Sequence, residues 1–326
     1  MAGPARAGPA ARAALLRAAV MDFETLSALP DLGVGLLVNP HTLAFPEEAG
    51  ACDFLEIIPD RFWLDGGVES DGGAVERGTR WQELRPTVAA LDELAAHVPV
   101  IAHSIGLSIG SAGLFDTGHL DQVARWQRRY GFPWHSDHLA FTRVPGDGGE
   151  FNAAVTLPVT RDEEMLELLT ERIAEVRRRV AAPFLLENNV WFVQPDGEPY
   201  TEAEFLNALC RRSGCGLLLD LHNVLVNARN TGFSPEGFLD ELDLRHVVEL
   251  HIAGGDELCG FYSDSHAGPV APEVWPLLER TLRAAPWIRA VTFEFHESYL
   301  GRFGPGGVAG ELRRARAIRE RCGARP

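Results

Sequence analysis

The stretch WHSDHLAF, residues 134–141, crowds His135, Asp137 and His138 into an apolar surround. With Pro133 before it, PWHSDH has the length of a buried strand and follows a helix-like run ending RRYGFP. Its meaning depends on whether other short apolar runs behave the same way. Those runs are GVGLLV (33–38), DFLEII (53–58), PVIAHS (99–104), FLLENN (184–189), GLLLDLHN (216–223), VVELHIAG (247–254) and AVTFEFH (290–296). Helical patterns lie between most of them. RWQELRPTVAALDELAAH (80–97) tolerates Pro86 if that residue sits in the first turn. GHLDQVARWQRRY (118–130) follows it, and TRDEEMLELLTERIAEVRRRV (160–180) opens with Thr and acids and closes with arginines. TEAEFLNALCRRSG (201–214) carries a capping box, Thr201 with Glu204, and a stop at Gly214. PEVWPLLERTLRAA (272–285) and GELRRARAIRERCG (310–323) complete the set.

Strand and helix alternating eight times predict an α/β fold, a single (β/α)8 TIM barrel of the xylose-isomerase-like kind. A doubly wound open sheet is the alternative, but no Gly-rich dinucleotide fingerprint follows the first strand. The barrel is expected over 31–323. Residues 1–30, Ala/Arg-rich and free of acids before Asp22, are expected to be a flexible tail.

In such a barrel every strand delivers its C-terminal end to one rim. Most of these strands end in a potential metal ligand: His103; Asp137 and His138; Glu187; Asp220, His222 and Asn223; Glu249 and His251; Glu294 and His296. The loop after the seventh strand adds Asp264 and His266. Residues two apart share a strand face, so Glu249 with His251, Asp220 with His222, and Glu294 with His296 are expected to point inward together. One histidine alone is more often structural than a ligand. Here seven of the 11 fall in or just after strand ends, while His41, His97, His119 and His246 read as structural. So many carboxylates and imidazoles in one bowl call for bound cations as counter-charge. Ligands of this mixed kind without clustered cysteines suit iron, manganese or zinc.

Composition narrows the chemistry further. All 30 basic side chains are arginine, so no lysine Schiff base, pyridoxal-phosphate linkage or P-loop lysine exists. A formal net charge of −16 disfavours nucleic acid as a partner. Arginine groups such as RRRV (177–180) read as solvated helix faces. The five scattered cysteines argue against a disulfide framework and for a reducing, cytoplasmic setting; Cys210 and Cys215 read as structural. No segment approaches the ~18 uninterrupted apolar residues of a membrane span.

Seven blocks, AHSIGLSIGS (102–111), HSDHLAF (135–141), LLENN (185–189), GCGLLLDLHNVLVNARN (214–230), ELHIAGG (249–255), SDSHAGPVAPEVWPLL (263–278) and TFEFHE (292–297), together resemble the multinuclear non-heme iron-dependent oxidases. That family was formerly a domain of unknown function and includes the oxidase of methanobactin biosynthesis. The resemblance implies a TIM barrel holding two or three iron ions, mixed Fe(II)/Fe(III), with O2 as co-substrate. It implies oxidation of cysteine or a nearby residue in a ribosomally synthesised precursor peptide, often with a companion protein that engages the peptide. Carried over block by block, the candidate metal ligands are His103, Asp137, His138, Glu187, Asn223, His251, Asp264, His266 and Glu294. His222 joins them by its place at a strand end. Asp220 stands as a ligand or just behind the ligands, and Glu249 as a carboxylate that orients an imidazole; these two are the candidate catalytic residues.

The chain departs from the family pattern at four places. His41 is offset from a usual histidine near the first strand. Asp60-Arg61 stands where Glu-Asn is common. His222 stands where an asparagine is usual, and Gly255 where a histidine is. Arg61 and Trp63 are candidates to contact a peptide, with a surface salt bridge and core packing as equally ready readings. Loops at 65–79, 142–152 and 255–270 are expected to close over a substrate. The rival readings are a divalent-metal sugar isomerase or epimerase on the same barrel, a three-zinc endonuclease, and a non-catalytic metal-binding partner protein.

Overall fold

A computed structural model describes residues 22–43, 52–66, 80–146, 149–191 and 197–323. Eight parallel strands close on themselves: β1 (Gly33–Val38), β2 (Leu55–Ile57), β3 (Val100–Ser104), β4 (His135–His138), β5 (Phe184–Glu187), β6 (Gly216–Asp220), β7 (Val247–Ile252) and β8 (Ala290–Phe293). Each neighbours the next in sequence, and β1 completes the ring by pairing Gly33 with Ala290 and Leu36 with Phe293 of β8. This is the (β/α)8 barrel, and each strand lies inside the stretch expected for it.

Nine helices are described: α1 (Phe23–Ser27), α2 (Arg85–Ala95), α3 (Thr117–Tyr130), α4 (Glu163–Arg179), α5 (Glu202–Ser213), α6 (Leu221–Thr231), α7 (Pro235–Glu241), α8 (Val274–Ala284) and α9 (Leu300–Arg321). The capping box of α5 forms as expected, Thr201 with Glu204, and Gly214 ends the helix with φ 68°. Helix α4 starts three residues later than Thr160, because Asp162 caps it by accepting from the Met165 N–H.

Four segments differ from expectation. Residues 81–83 are not helical; Trp81–Glu83 pairs antiparallel with Trp63–Asp65. The loop expected at 142–152 is a hairpin, Ala140–Gly146 against Gly149–Pro158. Part of the loop at 255–270 is another, Asp256–Leu258 against Phe261–Ser263. Helix α6 begins directly after β6, since the Asp220 carboxylate caps it by accepting from the His222 and Asn223 N–H groups at 2.6 and 2.9 Å. The stretch expected as a tail also ends in structure: α1 is capped by Asp22, and Leu26 is buried. Residues 1–21, and 67–79 of the first expected loop, lie outside the described residues.

The barrel interior is built in layers by the period-two alternation of strands. Phe54, Ile101, Trp134, Leu185, Leu218 and Ala290 form one apolar cluster with Leu26 and Leu32, all at most 8% exposed. This floor requires Gly35: a Cβ there would lie 2.5 Å from the Phe54 ring. Two residues further along the strands come Glu56, His103, Ser136, Glu187, Asp220 and Thr292. The alternate residues, such as Leu186, Leu217, Leu219 and Val291, face outward and pack with Leu169, Ile173, Phe205 and Leu278 in the main core. Each such fully buried side chain contributes about 1.5–3 kcal/mol.

Candidate functional site

Above the apolar floor the inward positions turn polar, and the side chains they carry meet. Glu187, at the end of β5, lies at the centre. Its Oε2 is 3.3 Å from His103 Nε2 of β3 and 3.1 Å from His138 Nε2 of β4. Its Oε1 is 3.2 Å from His251 Nδ1 of β7, which is also 3.3 Å from Glu294 Oε1 just past β8. Glu294 Oε2 reaches His266 Nε2 at 3.2 Å, and His266 Nε2 reaches Asp264 Oδ1 at 3.0 Å. Two groups thereby have the spacing of a metal site: His103, His138 and Glu187, and Glu187, Asp220, His251 and Glu294. Glu187 belongs to both, as a bridging carboxylate would.

These approaches are not hydrogen bonds. His103 Nε2, Glu187 Oε2, Asp220 Oδ2, Asn223 Oδ1, His251 Nδ1 and His266 Nε2 are all buried without a hydrogen-bond partner. A buried polar atom left unpaired costs about 1–3 kcal/mol, so six in one bowl need a compensating species. Donor atoms aimed at a shared centre, rather than at each other, are what a cation requires. The residues fit one.

Electrostatics agree. Burial presses the His103 imidazole down, yet Glu187 and Glu56 outweigh it and carry it up to about 9. His266 rises to about 10 against its burial, through Asp264 and Glu294. His251 rises well above its ordinary value for the same kind of reason, with Glu294 and Glu56 beside it. Burial raises Asp220 strongly, with Glu187 and Glu294 adding to the effect. Burial lowers the His138 imidazole despite Glu187, with His103 beside it adding to the effect. Protonation thus supplies positive charge at three of the imidazoles and not the fourth; a metal ion would meet the demand at all of them.

A third group, Glu56, Glu249 and His251, lies beneath the other two. Glu56 Oε2 is hydrogen-bonded to His251 Nε2 at 2.9 Å, with both side chains fully buried. Glu249 accepts from Trp134 Nε1 (2.8 Å) and the Thr292 hydroxyl (2.7 Å), so both its oxygens are engaged. We read this layer as support for His251: the carboxylate on Nε2 fixes the ring and turns Nδ1 toward the centre. Burial, then Glu56, pushes the Glu249 carboxyl up to about 8. Glu56 was not singled out from the sequence, although its place in DFLEII, two residues past Phe54, is an inward one.

The other residues singled out from the sequence take different places. Asp220 gives Oδ1 to the cap of α6 and keeps Oδ2 free. Asn223, in the first turn of α6, donates to Asn188 O and leaves Oδ1 free. Asp137 is outside the three groups; it points away from the bore, accepts from the Leu107 N–H at 3.3 Å, and burial with Asp60 nearby raises its carboxyl. His135, one pleat before Asp137, packs on Phe184, and burial lowers its imidazole to about 3. The strand-face expectation holds for Glu249 with His251. It does not hold for Asp220 with His222, because the chain is already helical at His222, nor for Glu294 with His296, where β8 has ended and the half-buried His296 lies beside Ser298. Arg61 forms a surface ion pair with Glu297, and Trp63 packs against Trp126, so the two bland readings describe them.

His222 is fully buried, with Nδ1 2.8 Å from Asp264 Oδ1 and Nε2 3.3 Å from the Tyr262 hydroxyl. Both ring nitrogens are thus engaged outside the three groups. A Cβ on Gly255 would lie 3.0 Å from His222 Nε2. Two of the departures from the family pattern therefore meet in space: the imidazole on α6 fills the place a side chain at 255 would take.

Residues 31–301 match the family described as RiPP precursor modification enzyme MbnB/TglH/ChrH, that is, enzymes acting on ribosomally made, post-translationally modified peptides. The chain belongs to this family. The UPF0276 protein of Neisseria meningitidis serogroup B is 36% identical over 254 residues, 77% of this chain and 82% of that one. The UPF0276 protein of Acaryochloris marina is 37% identical over 258 residues, 79% and 85% of the two chains. Among solved structures, endonuclease IV from Thermus thermophilus superposes with a TM-score of 0.52 at 18% identity, over 89% of this chain and 99% of that one. A xylose isomerase-like TIM barrel protein from Mycobacterium smegmatis in complex with magnesium gives 0.51 at 14%, over 87% and 88%. At these identities the structures establish the shared barrel and nothing of the chemistry. Among the described residues no helix is long and apolar enough to cross a membrane.

Proposed function

We propose that this member of the family is an iron- and O2-dependent oxidase that modifies a cysteine, or a residue beside one, in a ribosomally synthesised precursor peptide. The observation that carries the reading is the convergence of six unpartnered donor atoms at the barrel mouth. His103, His138, Glu187, Asp220, His251 and Glu294 would hold two ions that share Glu187, and Asp264, His266 and Asn223 are the candidates for a further one. Iron so bound supplies one-electron chemistry with O2 and an affinity for a substrate thiolate.

The protein's own part is positioning and exclusion. Glu56 holds the His251 ring, with Glu249 nearby at 3.8 Å, and Ser136 holds His103 through Nδ1 at 2.9 Å. Asp264 Oδ1 gathers His222 and His266, tying the rim to Tyr262. With Oδ1 held by the helix cap, Asp220 has Oδ2 alone to offer, either to an ion or, where the other ligands suffice, to a proton leaving the substrate. Three hairpins follow β2, β4 and β7 and stand around the mouth. Leu64, Phe151, Val155, Leu258 and Phe261 are exposed on them, apolar surface of the kind a peptide or a companion protein covers.

Two measurements test this. Metal analysis of the purified protein is expected to show iron; zinc alone would favour a nuclease, and magnesium or manganese a sugar isomerase. Co-expression with cysteine-containing peptides encoded beside the gene is expected to change the mass of one of them, whereas unchanged masses throughout would count against the oxidase.

A further inference from the structure

A second cavity of about 720 Å³ opens on the same rim, beside the end of β5, and none of the candidate metal ligands lines it. Trp191, Tyr200, Phe233 and Phe238 form its apolar walls, with Trp191 and Phe233 ring centroids 5.9 Å apart. Its charged lining is one-sided: Glu198, Glu202, Glu204 and Glu241 against Arg161 alone. Arg161 is already spent, since Glu198 accepts from its backbone N–H and its guanidinium, and that guanidinium lies 4.5 Å over the Trp191 ring. Glu202 is different. It is 7% exposed, and its Oε2 is buried with no hydrogen-bond partner.

Burial pushes the Glu202 carboxyl up to about 8, and an unpartnered carboxyl oxygen in an aromatic-walled pocket is an incomplete pair that a cation would complete by drawing off the proton. The internal example shows what completes such a pair here: a planar guanidinium lying on Trp191 and bound to a glutamate. We propose that this cavity is a docking subsite for a cationic side chain, an arginine or lysine, with Glu202 as its counter-charge and the aromatic walls stacking its stem and head. The identification of the ligand as part of the substrate peptide rests on the function proposed above.

The subsite is placed for that role. Trp191 is four residues beyond Glu187, a span of at most about 14 Å when extended. The link is held rigidly: the Trp191 N–H donates to Asn227 Oδ1 at 2.8 Å, and Asn227 donates to Asn189 O at 3.0 Å. A peptide with its cationic side chain in this cavity would thus have a nearby residue of the same chain within reach of the metal-binding bowl.

The test is a titration calorimetry comparison on the full chain as purified, using the capped tripeptides Ac-Ala-Arg-Ala-amide and Ac-Ala-norleucine-Ala-amide. The arginine peptide is expected to bind saturably and at least tenfold more tightly than the norleucine peptide. Glu202→Gln, which keeps the side-chain shape, is expected to remove at least tenfold of the arginine affinity. Equal affinities for the two peptides, or an unchanged affinity in Glu202→Gln, would overturn the proposal, as would no saturable binding of the arginine peptide at millimolar concentration. The two-peptide comparison needs no variant, so it decides even if Glu202→Gln fails to fold. Discriminating binding with no peptide ever modified would leave the subsite standing and remove the oxidase reading. Modification of a cognate peptide that is indifferent to replacing its cationic residues with norleucine would do the reverse.

Discussion

Replacing Glu56 by glutamine isolates the support layer beneath the candidate metal centre. The change removes one buried negative charge and alters no volume. In the wild type, Glu56 Oε2 lies 2.9 Å from His251 Nε2, both side chains are fully buried, and Nδ1 of the same ring faces Glu187 and Glu294. With a proton held on Nε2 by Glu56, Nδ1 is the nitrogen that gives up its own proton to a cation. A glutamine amide can still accept from Nε2 through its oxygen but carries no charge, so the ring loses the added basicity and firm orientation that a carboxylate lends a metal-binding imidazole. Losing such a carboxylate lowers metal affinity about 10–100-fold, equivalent to roughly 1.4–2.7 kcal/mol. Unfolding stability of the chelator-stripped protein should change little, because the variant also relieves Glu249 of a neighbouring charge. The assay is metal content by mass spectrometry after equilibrium dialysis against graded chelator, with denaturant unfolding of the stripped protein alongside. Wild-type metal retention by a folded Glu56→Gln protein would refute the reasoning, since His251 would then need no carboxylate to orient it.

Other outcomes follow from the same geometry. His251→Ala or Glu294→Ala should abolish metal retention, while His135→Ala and His296→Ala should leave it intact; equal losses in all four would show that the bowl is wrongly drawn. The metal-free protein should lose stability as pH rises from about 6.5 to 9. His103, raised from 6.5 to about 9, contributes stability below its unfolded value that disappears through its folded one, on the order of 3 kcal/mol. Glu249, raised to about 8, acts in the same direction, because its ionisation in the folded state is the unfavourable one. Denaturant titrations at pH 6 and pH 9 measure this, and a flat profile would contradict it. Gly35→Ala should cost about 1–3 kcal/mol through the Phe54 ring, read as a lowered thermal midpoint. Thr201→Ala, which dismantles the α5 cap, should cost about 0.5–2 kcal/mol in the same measurement.

The barrel and most of the bowl were legible because strands enforce a strict alternation. Once β5 is placed, Leu185 and Glu187 must point into the bore, and Ile101 with His103 obey the same rule. Glu56 obeys it too, two residues beyond the inward Phe54. What the alternation does not encode is where a strand stops. Asp220 is both the last strand residue and a helix cap, so His222 leaves the strand's periodicity, and its pairing with Asp264 across 42 residues has no local signal. Asp137 is a candidate ligand by its company, whereas its neighbours Ser136 and His138 take the inward positions. The hairpins were missed for a related reason: short, exposed strands pairing only with each other bury little and leave a weak pattern.

The apolar plug of Phe54, Ile101, Trp134, Leu185 and Leu218 closes the far end of the bore. Among the described residues nothing can pass through the barrel along its axis to the imidazoles and carboxylates. On the function proposed above, a peptide would therefore offer its residue as a bend or an end rather than being threaded through.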